Sequence, residues 1–213
     1  MFSFVIIDKK KQKFIISRDR YGIKPLYFYN DNNFFLVSSE IKPLLEIVKI
    51  RQINLLALNE YLSFQNNFSN STFFKNIYSF EPANIYSFNL KDKFLQKESY
   101  WDINIKDDNL NFNKTKNKNY LKKLLVKSVK RNLIADVKVG THLSSGIDSS
   151  LITKIASTIN NKIPTFSAGF NIKNVSKEDK TLNELNEIKR NLSLFNADHN
   201  QIIIDYFDIE KNI

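Results

Sequence analysis

One stretch, Leu143-Ser144-Ser145-Gly146-Ile147-Asp148-Ser149-Ser150, limits what this chain can fold into more than any other. An alternating run, Ala135 to His142, precedes it. A run with helical spacing follows: Leu151, Ile152, Ile155, Ala156 and Ile159. That order reads as strand, tight polar loop, helix. Small hydroxyl residues and a glycine at such a junction aim backbone N–H groups and hydroxyls at one spot. The helix dipole adds positive potential there. The result is a cradle suited to phosphate. The same residues also suit a plain helix start, with Asp148 or Ser149 as N-cap and Gly146 permitting the turn. Alone, the loop leaves both readings open.

The residues after it widen the frame. Ile163–Phe170 reads as a second strand ending at Gly169, residues 171–180 as a polar loop, 181–195 as a helix and Gln201–Ile204 as a third strand. A β-α-β-loop-α-β order predicts a parallel sheet. Ligands of such sheets sit at the carboxyl ends of the strands, where residues 144–148 and 168–170 would meet. Tyr120–Leu133 reads as an amphipathic helix leading into this half, with Leu121, Leu124, Leu125, Ser128 and Val129 on one side.

The first half is different. Residues 2–7 and 13–17 read as paired strands, turned at Asp8 to Gln12. Arg18 to Leu26 reads as a shaped loop broken by Gly22 and Pro25. A hairpin follows, 26–29 with 34–38. Ser39 then caps a short helix over 40–47, which Pro43 confines to its first turns. Asn54–Phe64 reads as a helix with a stripe of Leu55, Leu58, Tyr61 and Leu62. Residues 73–95 are aromatic and β-like, with a turn at Lys91-Asp92-Lys93. Residues 103–119 are dominated by Asn, Asp and Lys without periodicity, which predicts a linker and a domain boundary.

Composition excludes some chemistry. The sequence has no cysteine and two histidines, so disulfides, Cys-bound zinc and a cysteine nucleophile are absent and a His-rich metal site is disfavoured. The net charge of +10 invites a polyanion reading, but Lys is spread along the chain with one run, Lys9-Lys10-Lys11, at a predicted turn. Nucleic acid is therefore not expected as a partner. No apolar run reaches the ~18–20 residues of a membrane span, and no signal peptide precedes the first strand. The expectation is a cytoplasmic protein without a membrane partner. Gly is used four times, at 22, 140, 146 and 169, which predicts positive φ or close backbone approach at each.

Two separated stretches resemble one family, the glutamine-hydrolysing asparagine synthetases. Arg18 to Tyr27, then Ser38-Ser39-Glu40-Ile41-Lys42, Glu60 to Phe64 and Tyr100-Trp101-Asp102 are similar to its glutaminase domain. Ala135 to Gly140 with Leu143 to Ser150, then Phe166 to Phe170 and Asp198-His199, resemble its synthetase domain, whose pyrophosphate loop is usually written S-G-G-x-D-S. The resemblance implies a fold of mixed class, α/β and α+β. A partial Ntn-type glutaminase sandwich over 1–102 and a linker over 103–119 would precede a partial parallel-sheet PP-loop domain, like the adenine nucleotide alpha hydrolases, over 120–213. It implies ATP-dependent amidation of aspartate to asparagine with ammonia from glutamine, forming AMP and pyrophosphate.

The same resemblance assigns residues. Asp19 matches a glutamine-binding position, where a carboxylate suits an α-ammonium; the competing reading is an ion pair with Arg18 or Arg20. Leu143, Ser144, Ser145, Gly146, Asp148 and Ser149 match the ATP loop, with Asp148 binding or orienting Mg²⁺. Ala168 matches a position whose backbone contacts adenine, against a packing role before Gly169. His142 is expected to pack in its strand, and His199 carries no role.

Three departures qualify this. The family nucleophile is an N-terminal cysteine, so no catalytic residue is assigned here. The chain resembles a fragment that starts inside one domain and stops inside the next, inactive alone. Ser145 stands where the loop has its first Gly, which costs ~1–2 kcal/mol if positive φ is needed and little if only small size is. Glutamine, aspartate and ATP are the expected small-molecule partners, and a homodimer is implied for the full-length enzyme. Two alternatives are a related amidotransferase acting on another carboxylate and a non-catalytic interaction fragment.

Overall fold

The computed structural model describes residues 1–49, 51–104, 113–170 and 184–204. The chain divides into two compact units, Met1–Asp108 and Asn109–Ile213. Both mix helices and sheets.

Unit one holds β1 (Ser3–Asp8), β2 (Lys13–Arg18), β3 (Tyr27–Asn30), β4 (Phe35–Ser38), α1 (Ile41–Val48), α2 (Leu55–Phe64), β5 (Ile77–Ser79), β6 (Asn84–Asn89) and β7 (Leu95–Ser99). Two antiparallel sheets form, ordered β1-β2-β6-β7 and β4-β3-β5. Strand periodicity explains how they layer. Phe28, Phe35, Val37 and Tyr78 face Ile16, Phe80 and Tyr86, filling the space between the sheets. The alternate residues Tyr27, Tyr29, Leu36 and Ile77 face α1, through Leu44 and Leu45. The second sheet is thus buried on both faces, while β1 is an edge strand with Phe4, Val5, Ile6 and Ile7 exposed.

Two helices differ from expectation. α1 is flanked by Glu40 rather than Ser39 and no side chain caps it. It runs on past Pro43, because Pro43 lies in the first turn, whose N–H groups have no partner within the helix. In α2 Asn54 does cap, accepting from Ala57 N–H at 3.3 Å. Its buried residue is Ala57, however, and the expected stripe members Leu55 and Leu62 are exposed.

Unit two holds α3 (Lys114–Asn132), β8 (Thr141–His142), α4 (Ile147–Ile159), β9 (Ile163–Phe170), α5 (Leu185–Asn191), a 3-10 turn (Leu192–Leu194) and β10 (Ala197–Ile204). The sheet is parallel with order β10-β9-β8, as the element order predicts. α3 begins within the stretch expected to be unstructured, because Asn113 caps it by accepting from Lys116 N–H at 2.9 Å. Its first turns are polar all round, so no apolar period marks them. Its Leu121 and Leu124 are exposed.

The strand expected from Ala135 shrinks to Thr141–His142, paired with Thr165 and Phe166. Upstream, a Cβ on Gly140 would stand 2.8 Å from the Phe166 ring and 2.9 Å from the Pro164 carbonyl. Pro164 also has no N–H to extend a ladder. β10 is longer than expected, since its register with β9 starts at Ala197 opposite Ile163. The polar loop expected at 171–180 and the first turn of the helix expected from Thr181 lie outside the described residues. The rest of that helix is α5 and the 3-10 turn. No helix among the described residues is long and apolar enough to cross a membrane.

Candidate functional site

The phosphate-like loop lies between β8 and α4, at the carboxyl end of the sheet. Its start is pinned to β9: Leu143 N–H donates to the Phe166 carbonyl at 2.9 Å, and Ser167 Oγ donates to the Leu143 carbonyl at 2.6 Å. The Leu143 side chain is buried with Leu185 and Ile188 of α5. Below the loop, α4 sits on the sheet through Thr153, whose hydroxyl donates to Thr141 Oγ1 at 3.0 Å.

Within the loop, two hydroxyls organise the backbone. Ser144 Oγ and Ser149 Oγ are 2.6 Å apart and hydrogen-bonded. Ser149 Oγ accepts from Ser144 N–H at 3.2 Å, and Ser144 Oγ accepts from Gly146 N–H at 3.2 Å. Gly146 is the N-cap position of α4, with φ −66°, so neither Asp148 nor Ser149 caps as the sequence suggested. The first helical bond runs from Ser150 N–H to the Gly146 carbonyl at 3.2 Å. The N–H groups of Ile147, Asp148 and Ser149 precede it, and no side chain caps the helix. They remain donors at a positive helix end. Ser145 is not among the residues with positive φ, so the strain considered for a side chain at that position does not arise.

Leu143, Ser144 and Ser149 of the loop border a cavity of about 270 Å³ that also takes in His142, Phe166 and Ala168, whereas Ser145, Gly146 and Asp148 do not line it. Leu143, Ser144, Ser149 and Ala168 therefore come together as the sequence expected. Ala168 is exposed there rather than packed. His142 is exposed as well, not a packed strand residue. Asp148 stands in the first turn of α4 and is exposed. His199 is held from Nδ1 by Thr165 Oγ1 at 2.9 Å, a bond between neighbouring strands.

One residue escaped the sequence reading. Glu184 Oε2 accepts from Ser145 N–H at 2.8 Å. It lies 39 positions downstream, and nothing local in the sequence connects the two. Only the return of α5 against Leu143 brings it there.

Asp19 belongs to unit one and sits in a second cavity of about 390 Å³, with Phe2, Arg20, Tyr21 and Tyr100. It is 4% exposed. Oδ1 accepts from Tyr21 and Ile23 N–H at 3.2 and 3.1 Å, and Oδ2 from Phe2 and Lys24 N–H at 3.1 and 3.0 Å. Burial works to raise its pKa, but these four donors together outweigh burial and hold it at about 2. The ion pair considered with Arg18 or Arg20 does not form. Arg18 instead donates to the carbonyls of Lys24, Phe80 and Gly22 at 2.9, 2.6 and 2.7 Å. Gly22 has φ +62°, and a Cβ there would meet Pro82 and the Arg18 guanidinium at 2.9 and 3.0 Å. Arg20 lies over the Trp101 ring at 5.4 Å.

Two domain families match the chain. The glutamine amidotransferase domain family covers residues 1–101, and the asparagine synthase family covers residues 120–213. A Methanocaldococcus jannaschii protein, provisionally named asparagine synthetase 2 (glutamine-hydrolyzing), is 37% identical over 80% of this chain and 34% of its own length. Asparagine synthetase 1 (glutamine-hydrolyzing) of Bacillus subtilis is 31% identical over 84% of this chain and 28% of its own length. Amidase chry2 of Gibberella zeae is 30% identical over 73% of this chain and 23% of its own length. The chain spans about a third, or less, of the length of these curated relatives. With both domain families matched in that order, and with synthetases aligned across most of the chain, this protein belongs to the glutamine-hydrolyzing asparagine synthetase family.

Proposed function

We propose that this chain contributes to ATP-dependent amidation of aspartate to asparagine, with ammonia drawn from glutamine and with AMP and pyrophosphate as products. The loop from Leu143 to Ser149 carries this reading. The hydroxyl-bearing Ser144 and Ser149 line one cavity with Ala168, and the uncapped N–H groups that open α4 belong to the same loop. Hydroxyls and amides in that arrangement suit phosphate oxygens. Leu143, Ser144, Ser145, Gly146 and Ser149 would hold the phosphates, and Ala168 would meet the adenine. In domain terms, residues 1–102 are an Ntn-type glutaminase unit, 103–119 a linker and 120–213 a PP-loop unit.

Mg²⁺ fits this loop as an ion shared with the nucleotide. Among the described residues no group of three or more His, Cys, Asp or Glu side chains could hold a metal. Asp148, exposed beside the free amides, offers one hard oxygen donor, and phosphate oxygens would complete the set. Bound there, the ion would neutralise phosphate charge. Asp19 is the proposed contact for the glutamine α-ammonium. Its lone pairs are already engaged, so what it offers is a fixed negative charge beside the cavity.

The test is calorimetric. The chain should bind ATP in the presence of Mg²⁺, and Asp148→Ala should abolish that binding. Affinity unchanged by the substitution would remove the loop assignment. A second reading, a carboxylate acceptor other than aspartate, draws support from the relative named an amidase. Assay of the intact protein with a panel of carboxylic acids separates the two.

A further inference from the structure

The Glu184 carboxylate is placed rather than wandering. It opens α5, yet its side chain makes no capping bond to its own helix. Leu185 and Ile188 of the same helix are buried against Leu143, which fixes the start of α5 beside the start of the loop. From there Glu184 reaches the Ser145 N–H at 2.8 Å. Ser145 N–H is, among the described residues, the loop amide answered by an acidic side chain from another element. Its neighbours Ser144 N–H and Gly146 N–H are answered by loop serines. Charge sharpens the point. Among the described residues bordering the cavity there is neither Lys nor Arg.

We propose that Glu184 is the resident counter-anion of this loop: its carboxylate takes the Ser145 N–H that a phosphate oxygen would take, and polyphosphate binding must displace it. The inference rests on the phosphate-loop reading above. An N–H donates to one strong acceptor at a time, so carboxylate and phosphate compete for it. Where both anions remain close, they repel in a site of reduced dielectric. Glu184 therefore penalises bare polyphosphate and favours its complex with a divalent cation, which screens that repulsion. In this role it is a specificity-determining residue. It sets how far binding depends on metal without contributing a step of chemistry.

Titration of the full chain with sodium pyrophosphate, first with a chelator and then with saturating Mg²⁺, tests this. Glu184→Gln keeps the shape and removes the charge. It should bind metal-free pyrophosphate about tenfold more tightly than the unsubstituted chain. With saturating Mg²⁺ the gap should narrow to about threefold or less. Glu184→Ala should show the same gain, which guards against a glutamine that merely re-forms the bond. A side chain that only braces the loop predicts the opposite sign, with both variants weaker in both conditions. Equal or weaker metal-free affinity in both variants would overturn the proposal. If the unsubstituted chain binds Mg²⁺-pyrophosphate and the variants show no metal-free gain, only this inference fails. If no chain binds in any condition, the phosphate-loop reading fails with it. Circular dichroism of each variant confirms that a lost signal is not a lost fold.

Discussion

Two polar loops, one in each unit, solve opposite problems. In the loop from Arg18 to Pro25 adjacent side chains divide the backbone between them. Arg18 gathers three carbonyls and Asp19 gathers four N–H groups. Little is left over, so the loop is complete as protein. In the loop from Leu143 to Ser150 the hydroxyls of Ser144 and Ser149 bond mainly to each other and to nearby backbone. The amides opening α4 have no cap. Such short-range bonds can be exchanged for a ligand's oxygens without unfolding the loop. The difference teaches that a loop can take an anion where its own chain leaves N–H donors free, whereas a completed loop such as that around Asp19 has only a fixed charge to offer.

The sharpest way to break this contrast is Asp19→Ala. It should destabilise unit one by about 3 kcal/mol, because four N–H groups lose their acceptor at once. Denaturant unfolding followed by Trp101 fluorescence reads the loss, and a change under ~0.5 kcal/mol would mean the amides are well solvated instead. The same residue predicts acid behaviour. Its folded pKa, about 2, lies below the ordinary 3.8, so the folded state favours the ionised form. That stability is fully present above about pH 4 and is lost as pH falls toward 2, and the variant should lack this component.

A middle-sized effect should separate the loops further. Ser149→Ala should cost less than about 1 kcal/mol in stability, since the bonds it loses are local and none of them is fully buried. Yet it should weaken ATP binding about tenfold, as one charge-assisted hydrogen bond to phosphate disappears. Large destabilisation without loss of affinity would reverse the contrast. The smallest effect belongs to the surface pair Lys97–Glu81, whose side chains are 47% and 40% exposed at 2.9 Å. Glu81→Gln should leave the unfolding midpoint within experimental scatter, because solvent screens such pairs.

Much of the layout was legible in the sequence. The hairpin of 26–29 with 34–38 follows from its strands and turn, and the β-α-β order around Leu143–Ser150 marks a parallel sheet. Where the reading slipped, longer-range constraints had the deciding role. The run from Ala135 to Val139 alternates like a strand, but Gly140 is pressed against Phe166 and Pro164, and the ladder begins only at Thr141. The stripe of α2 has helical spacing, yet the residue that is buried is Ala57. The start of α3 carries no apolar period, and a single Asn113 cap decides it.

By itself the sequence determined the local chemistry: a glycine where the loop after Arg18 turns at φ +62°, serines and a glycine at the start of a helix, and no cysteine anywhere. These follow from side-chain size and hydrogen-bonding type, which travel with each residue. Tertiary structure alone decided that Asp19 is spent on four amides rather than on a neighbouring arginine. It alone decided that Glu184 meets Ser145. Both depend on chain segments folding back over one another. Which partner a carboxylate finds is set by what the burial of Leu143, Leu185 and Ile188, or of Ile16 and Phe80, brings within 3 Å or so of it.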